Sequence, residues 1–147
     1  MIVGSPPALV VIDTNVWLYA FSQNQDQQKT QRAKALIRRT APIALSTQVI
    51  NEVSVNVLRK FQADEQDVRK LIRSFYRKYL VVEFSRSILL QASDLRIPYH
   101  LSYWDSLIIA SALAAGATAL YSEDMHDGLA VRDQLTIINP FKTSAQP

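Results

Sequence analysis

The sequence predicts an α/β fold, a three-layer α/β/α sandwich around a central five-stranded parallel sheet, on three observations. Short apolar runs alternate with amphipathic stretches, the order that builds a parallel sheet covered on both faces. The first run, Ala8-Leu9-Val10-Val11-Ile12, is apolar throughout, as a central strand buried on both sides must be. The length, 147 residues, suits one domain with a single core.

Residues 1–7, with Gly4, Pro6 and Pro7, read as an irregular lead-in and Thr143 to Pro147 as a loose tail, so the domain core spans about 8–141. After the first strand, Val16 to Phe21 continues into a helical turn, and Ser22 to Gln28 is polar loop or helix start. Lys29 to Arg39 sets Ala33, Leu36 and Ile37 on one helix face; Pro42 ends it and Ile43 to Leu45 is a short strand. Ser46 or Thr47 caps the next helix, whose core stripe is Val49, Ile50, Val53 and Val57. Asp64 to Tyr79 is the most periodic segment, with Val68, Leu71, Ile72, Phe75, Tyr76 and Tyr79 at helical spacing. Leu80 to Phe84 reads as a strand and Ser87 to Arg96 as an amphipathic helix stopped before Pro98. Ser102 to Ala115 is helical with Gly116 as its C-cap. Ala117 to Ser122 and Leu135 to Ile138 complete the five strands, and Pro140 ends the last.

Hydrophobic residues make up 48% and charged residues 20%, which excludes wholesale disorder. Cysteine is absent, so disulfides, thiolate metal sites and thiol nucleophiles are excluded, consistent with a reducing cytosol. The apolar run near the N-terminus has no Lys or Arg before it and is interrupted by Asp13, so neither a signal peptide nor a membrane anchor is expected. The longest apolar stretch, Leu107 to Ala115, falls short of a bilayer span. Sixteen basic against thirteen acidic residues leave +3, a balance compatible with a polyanionic partner.

Four carboxylates stand where hydrophobic segments end or helices begin. Asp13 closes the first strand, where Asp also serves to start a turn. Thr14 and Asn15 put a hydroxyl and an amide beside it. Glu52 lies about 60° from Val49 around its helix, at the edge of the buried stripe, with Asn56 one turn on. An acid in that position needs either a basic neighbour or a metal. Asp105 completes Ser102-x-x-Asp105, a capping box, and the field of the helix N-terminus favours its ionised form. Ser102 and Ser106 flank it with further oxygens. Asp124 follows the strand before Gly128, in a stretch that also reads as an acidic turn. It is preferred to Glu123, while Asp127 is a fifth ligand or a group behind the ligands. His100 and His126 read as structural and loop residues. Carboxylates gathered at the carboxyl ends of parallel strands suit a hard cation such as Mg²⁺ or Mn²⁺, bound as one ion or two.

The ordered set Val11-Ile12-Asp13-Thr14-Asn15-Val16, Glu52 in its helix, Ser102-Tyr103-Trp104-Asp105-Ser106-Leu107-Ile108 and Leu120-Tyr121-Ser122-Glu123-Asp124 resembles the PIN domain. The similarity is greatest to the small single-domain PIN ribonucleases, which include the VapC-type toxins of bacterial toxin–antitoxin modules, and it runs from about Val10 to Phe141. It implies Mg²⁺- or Mn²⁺-dependent endoribonuclease activity with catalytic and metal-binding acids at Asp13, Glu52, Asp105 and Asp124. Thr14, Asn15 and Ser122 are accessory, and Asp127 is a provisional further ligand. The resemblance also implies an RNA substrate, a homodimer, a small antitoxin seated in the active-site groove, and a cytoplasmic setting.

For RNA contacts, Arg59 and Lys60 stand two turns beyond Glu52 on its own helix; the Arg69, Arg73, Arg77 stripe reads as a solvated face. Trp17, Tyr19 and Phe21 are suited to base stacking or to packing. A phosphatase of the haloacid-dehalogenase type would need Asp-x-Asp after the first strand, and Asn15 occupies its third position. The remaining alternative is a non-catalytic PIN-fold module that binds RNA or protein.

Overall fold

Three apolar residues suffice for the innermost strand because it has a parallel neighbour on each side. In the computed structural model, which describes residues 8–23, 26–39 and 42–142, β1 (Val10–Ile12) is buried along its length. It pairs with β2 (Ile43–Ser46), Val10 opposite Ile43, and with β4 (Ala119–Tyr121), Ile12 opposite Tyr121. β3 (Leu80–Val82) extends the sheet beyond β2, and β6 (Leu135–Ile138) beyond β4, all in parallel. The predicted lead-in and tail lie outside the described residues.

The sheet has six strands, not five; with β5 (Ala130–Val131) the order is β3-β2-β1-β4-β6-β5. The extra strand, β5, is antiparallel to β6. Two residues are too few for an alternating pattern to show. Its turn is equally unannounced: Arg132 and Asp133 both take positive φ, 52° and 53°, and Gln134 N–H donates to Val131 O at 3.1 Å. The two central residues of this turn are left-handed, a conformation for which Asn-Gly or Asp-Gly is the usual signal, and with Val131 opposite Leu135 the hairpin loop has three residues, 132–134.

The helices follow the sequence reading with small changes at their ends. α1 (Thr14–Phe21) begins directly after Asp13, two residues earlier than expected, because the Asp13 side chain caps it. α2 (Gln27–Arg39) and α3 (Thr47–Lys60) follow, the latter capped by Ser46 accepting from Val49 N–H. α4 (Glu65–Lys78) carries a complete capping box between Asp64 and Asp67. α5 (Arg86–Arg96) is capped by Ser85, and α6 (Tyr103–Ala114) by Ser102. Ala115 caps the end of α6, and Gly116 follows at φ +79°, the left-handed position that ends many helices.

Strand order decides where the helices and the cleft go. Crossovers β1→β2→β3 move toward one edge and β3→β4 returns past β1, so right-handed connections place α1–α4 on one face and α5–α6 on the other. α6 is buried from Ser106 to Leu113 because it packs on the sheet beneath α5. On the other face Trp17 ties layers together: its indole N–H donates to Ile12 O at 3.0 Å and its ring meets Phe75 of α4 edge-on at 5.1 Å. Trp17 is thus core, not a base-stacking platform. The direction reverses between β1 and β4, and open α/β sheets leave a crevice outside the carboxyl ends at such a point.

Candidate active site

Asp13 and Ser122 stand side by side at that crevice, because Ile12 is opposite Tyr121 in the β1–β4 register. Ser122 Oγ donates to Asp13 Oδ2 at 2.8 Å, and Thr14 N–H donates to Oδ1 at 2.8 Å. Asp13 is only 6% exposed. Burial pushes its carboxyl from 3.8 up to about 6; the Ser122 and Thr14 hydrogen bonds oppose the rise, and the charges of Glu52 and Asp105 add to it.

The other three acids come from separate elements. Glu52, half-buried on α3, accepts from Thr14 Oγ1 at 2.8 Å and from Gln48 Nε2 at 2.9 Å. Asp124, just past β4, accepts from Asn15 Nδ2 at 3.1 Å, while Asn15 Oδ1 accepts from Glu123 N–H at 3.3 Å. The Asn15 amide therefore clamps the start of the loop after β4. Asp105 N–H donates to Ser102 Oγ at 3.2 Å, which caps α6, and the Ser102 side chain also hydrogen-bonds the Asp105 carboxylate. The field of the helix N-terminus, which favours the ionised form, is opposed here by the surroundings. Burial raises its carboxyl above the ordinary value, the Ser102 hydrogen bond opposes this, and Glu52 and Asp124 raise it further.

All four acids line one cavity of about 240 Å³, with Thr14 and Asn15 beside them and Leu18 and Ile108 supplying apolar wall. No Lys, Arg or His is among its lining residues. Among the described residues no three His, Cys, Asp or Glu side chains are grouped tightly enough to hold a metal ion as they stand. Four carboxylates without a cation repel one another, and here Asp13, Glu52 and Asp124 are held in place by hydrogen bonds from neutral donors. The donor set nevertheless suits a hard divalent cation: every donor is oxygen, and an oxygen accepting one hydrogen bond keeps a second lone pair.

Several expected participants are engaged elsewhere. Asp127 does not reach the cavity: its Oδ1 accepts from Asn139 N–H at 2.7 Å and its Oδ2 meets Lys142 Nζ at 3.4 Å. The Asn139 hydrogen bond, opposed by desolvation and then helped by Lys142, holds this carboxyl below its ordinary value. Ser106 is fully buried, donating to Tyr103 O and accepting from Arg96, so it offers the cavity no oxygen. Glu123 pairs with Lys29 and accepts from Tyr19 Oη at 2.9 Å, which removes both it and Tyr19 from the acidic centre. Phe21 lies 38% exposed against Trp17. Arg59 and Lys60 are exposed in the last turn of α3, outside the cavity wall. Gln48 escaped the sequence reading, although its i, i+4 spacing to Glu52 is a helical contact distance. A larger groove of about 450 Å³, between Trp17, Phe21, Leu71 and Phe75, contains none of the acids.

A family model described as the PIN domain matches residues 10–128. Among solved structures, the chain is similar to a toxin–antitoxin complex from Klebsiella pneumoniae, with 20% identity, TM-score 0.68, and 91% of this chain and 99% of that chain covered. It is also similar to VapBC2 from Rickettsia felis bound to a promoter DNA fragment, at 18% identity and TM-score 0.60, covering 89% and 99%. A third is VapC20 of Mycobacterium tuberculosis, a sarcin–ricin loop cleaving toxin, at 16% identity and TM-score 0.60, covering 76% and 86%. At these identities the likeness is one of fold. No curated protein matches the chain.

Proposed function

The chain belongs to the PIN domain family, and from that premise we propose that it is a divalent-metal-dependent endoribonuclease, the toxin of a toxin–antitoxin pair. The observation that carries the reading is the single cavity lined by Asp13, Glu52, Asp105 and Asp124 without a basic residue to neutralise them. Mg²⁺ or Mn²⁺ would be held by these carboxylates and, when bound, supplies activation of water and neutralisation of phosphate charge.

The chain's own residues set up the rest. Ser122 and the Thr14 N–H fix Asp13, Thr14 Oγ1 and Gln48 fix Glu52, and Asn15 fixes Asp124, so three of the four carboxylates have preset orientations. Leu18 and Ile108 give the cavity a low-dielectric wall, which strengthens every charge interaction inside it. Water adds to phosphorus, the bond to the leaving sugar oxygen breaks, and that oxygen takes up a proton. Arg59 and Lys60 are proposed to meet phosphates flanking the cut, and Asp127 is proposed to brace the 122–128 loop against Asn139 instead of ligating.

A small antitoxin is a proposed partner, since the similar structures include toxin–antitoxin complexes, and a second copy of the chain is proposed on the family resemblance alone. No helix among the described residues is long and apolar enough to cross a membrane, and a cytoplasmic setting is proposed. The competing reading, a non-catalytic binding module, leaves four intact acids in one cavity without a use. The test is chelation and add-back. RNA cleavage should stop in EDTA and return with Mn²⁺; RNA binding without cleavage in either condition would favour the binding module.

A further inference from the structure

We propose that a second cavity beside the acidic centre, walled by His100 and His126, is the subsite for an unpaired nucleobase adjoining the cleaved phosphodiester, an inference that rests on the ribonuclease reading. The cavity, about 360 Å³, shares Asp105 and Asp124 with the acidic one, so the two are contiguous. An RNA strand with its phosphate among the acids would have a neighbouring base within reach of this space. Both of the chain's histidines line it.

Its construction suits a flat, partly polar ligand. Met125, Leu129 and Ile137 give an apolar floor, while His100, His126 and Ser102 are exposed polar groups above it. Imidazole rings stack on bases and also hydrogen-bond to their edges, and an RNA base is open to both only when unpaired. His100 has no core role, yet its backbone is firmly placed. It takes φ +55°, a left-handed conformation that His tolerates better than most residues but that is unusual outside glycine. The turn that carries it is held by Tyr99 N–H to Leu95 O at 3.1 Å, His100 N–H to Ile97 O at 3.2 Å and Leu101 N–H to Arg96 O at 3.0 Å. Tyr99 Oη accepts from Arg132 N–H at 2.9 Å, which ties the turn to the β5–β6 hairpin. These bonds form the left-handed motif that ends a helix, so the exposed His100 ring is carried on a well-anchored turn at the mouth of the cavity.

The experiment compares the wild type with a His100→Asn/His126→Ala double variant on Mn²⁺-dependent cleavage of one defined single-stranded RNA. Two further copies of that RNA carry an abasic nucleotide on one or the other side of the cleaved bond. Asn is chosen at position 100 because it also tolerates positive φ. The wild type should lose about tenfold in kcat/KM on one abasic RNA, the scale of a single stacked base. In the double variant the intact and that abasic RNA should be cut equally, Mn²⁺ binding by calorimetry should be unchanged, and His126→Phe should restore part of the difference. A wild type indifferent to both abasic RNAs, or a penalty undiminished in the double variant, overturns the subsite while leaving the ribonuclease reading intact. Loss of Mn²⁺ binding in the double variant also overturns it, by making these histidines part of the cation site. A wild type that cuts no RNA overturns the ribonuclease reading and the subsite with it.

Discussion

Replacing Asp13 by Asn should make the metal-free protein more stable at neutral pH, even though it removes a carboxylate that the proposed chemistry requires. Burial holds the Asp13 carboxyl at about 6 against an ordinary 3.8. At about 1.4 kcal/mol per pH unit, that difference costs the ionised folded form about 3 kcal/mol. The sign follows from proton uptake. Between 3.8 and about 6 the folded chain holds a proton that the unfolded chain has lost, so this group's stabilisation is fully present below 3.8 and disappears as pH rises through 6. Asn has no such slope. Its amide still accepts from Thr14 N–H, while Ser122 Oγ must turn from donor to acceptor, so about 3 kcal/mol is a ceiling. Asp105 slopes in the same direction as Asp13, whereas Asp64 and Asp127 are lowered and slope the other way; all three are common to both proteins and largely cancel in the comparison. Urea unfolding in EDTA should show nearly equal midpoints at pH 4 and a variant midpoint higher at pH 7.5 by up to roughly 1.5 M, for an m-value of about 2 kcal/mol per M. An Asn variant less stable than wild type at pH 7.5, or a gap that does not change with pH, would refute the account of Asp13 as a buried, strained carboxylate.

Three further outcomes follow from the same geometry. Mn²⁺ at about 100 times its dissociation constant should stabilise the wild type by about 2.7 kcal/mol at pH 7.5. The gain should shrink at pH 5, where Asp13 holds its proton, and thermal melts at the two pH values check it. Asn15→Ala removes the donor to Asp124 and should weaken Mn²⁺ binding by about tenfold, read by calorimetry, with a far-UV circular dichroism spectrum like the wild type's. Trp17→Phe loses the hydrogen bond to Ile12 O and part of a fully packed side chain, so urea unfolding should show a loss of about 2 kcal/mol; a change under about 0.5 kcal/mol would show that Trp17 does not join the layers.

What could be read from the sequence was whatever depends on local pattern. The continuous run through Ile12, the Val49–Val53 stripe with Glu52 at its edge, and the Ser102 cap each rest on spacing within one element, and each stands in the structure. What depends on contacts between distant residues was hidden. Asp127 reads equally as a ligand or as a group behind the ligands, because its partner, Asn139, belongs to the segment after β6. Ser106 sits one residue from Asp105 but faces Arg96, since adjacent helical residues point about 100° apart. Strand β5 depends on a turn of two non-glycine residues at positive φ, which no local propensity announces. The two histidines lie 26 positions apart in sequence and share a cavity only because the turn before α6 and the loop after β4 meet at the same end of the sheet.

The most direct test of a single four-acid cleavage centre is the Mn²⁺-dependent rate on one RNA for Asp13→Asn, Glu52→Gln, Asp105→Asn and Asp124→Asn beside the wild type. Each substitution should slow cleavage by about a hundredfold or more while the protein remains folded. Wild-type cleavage by a folded Asp13→Asn protein would contradict the account.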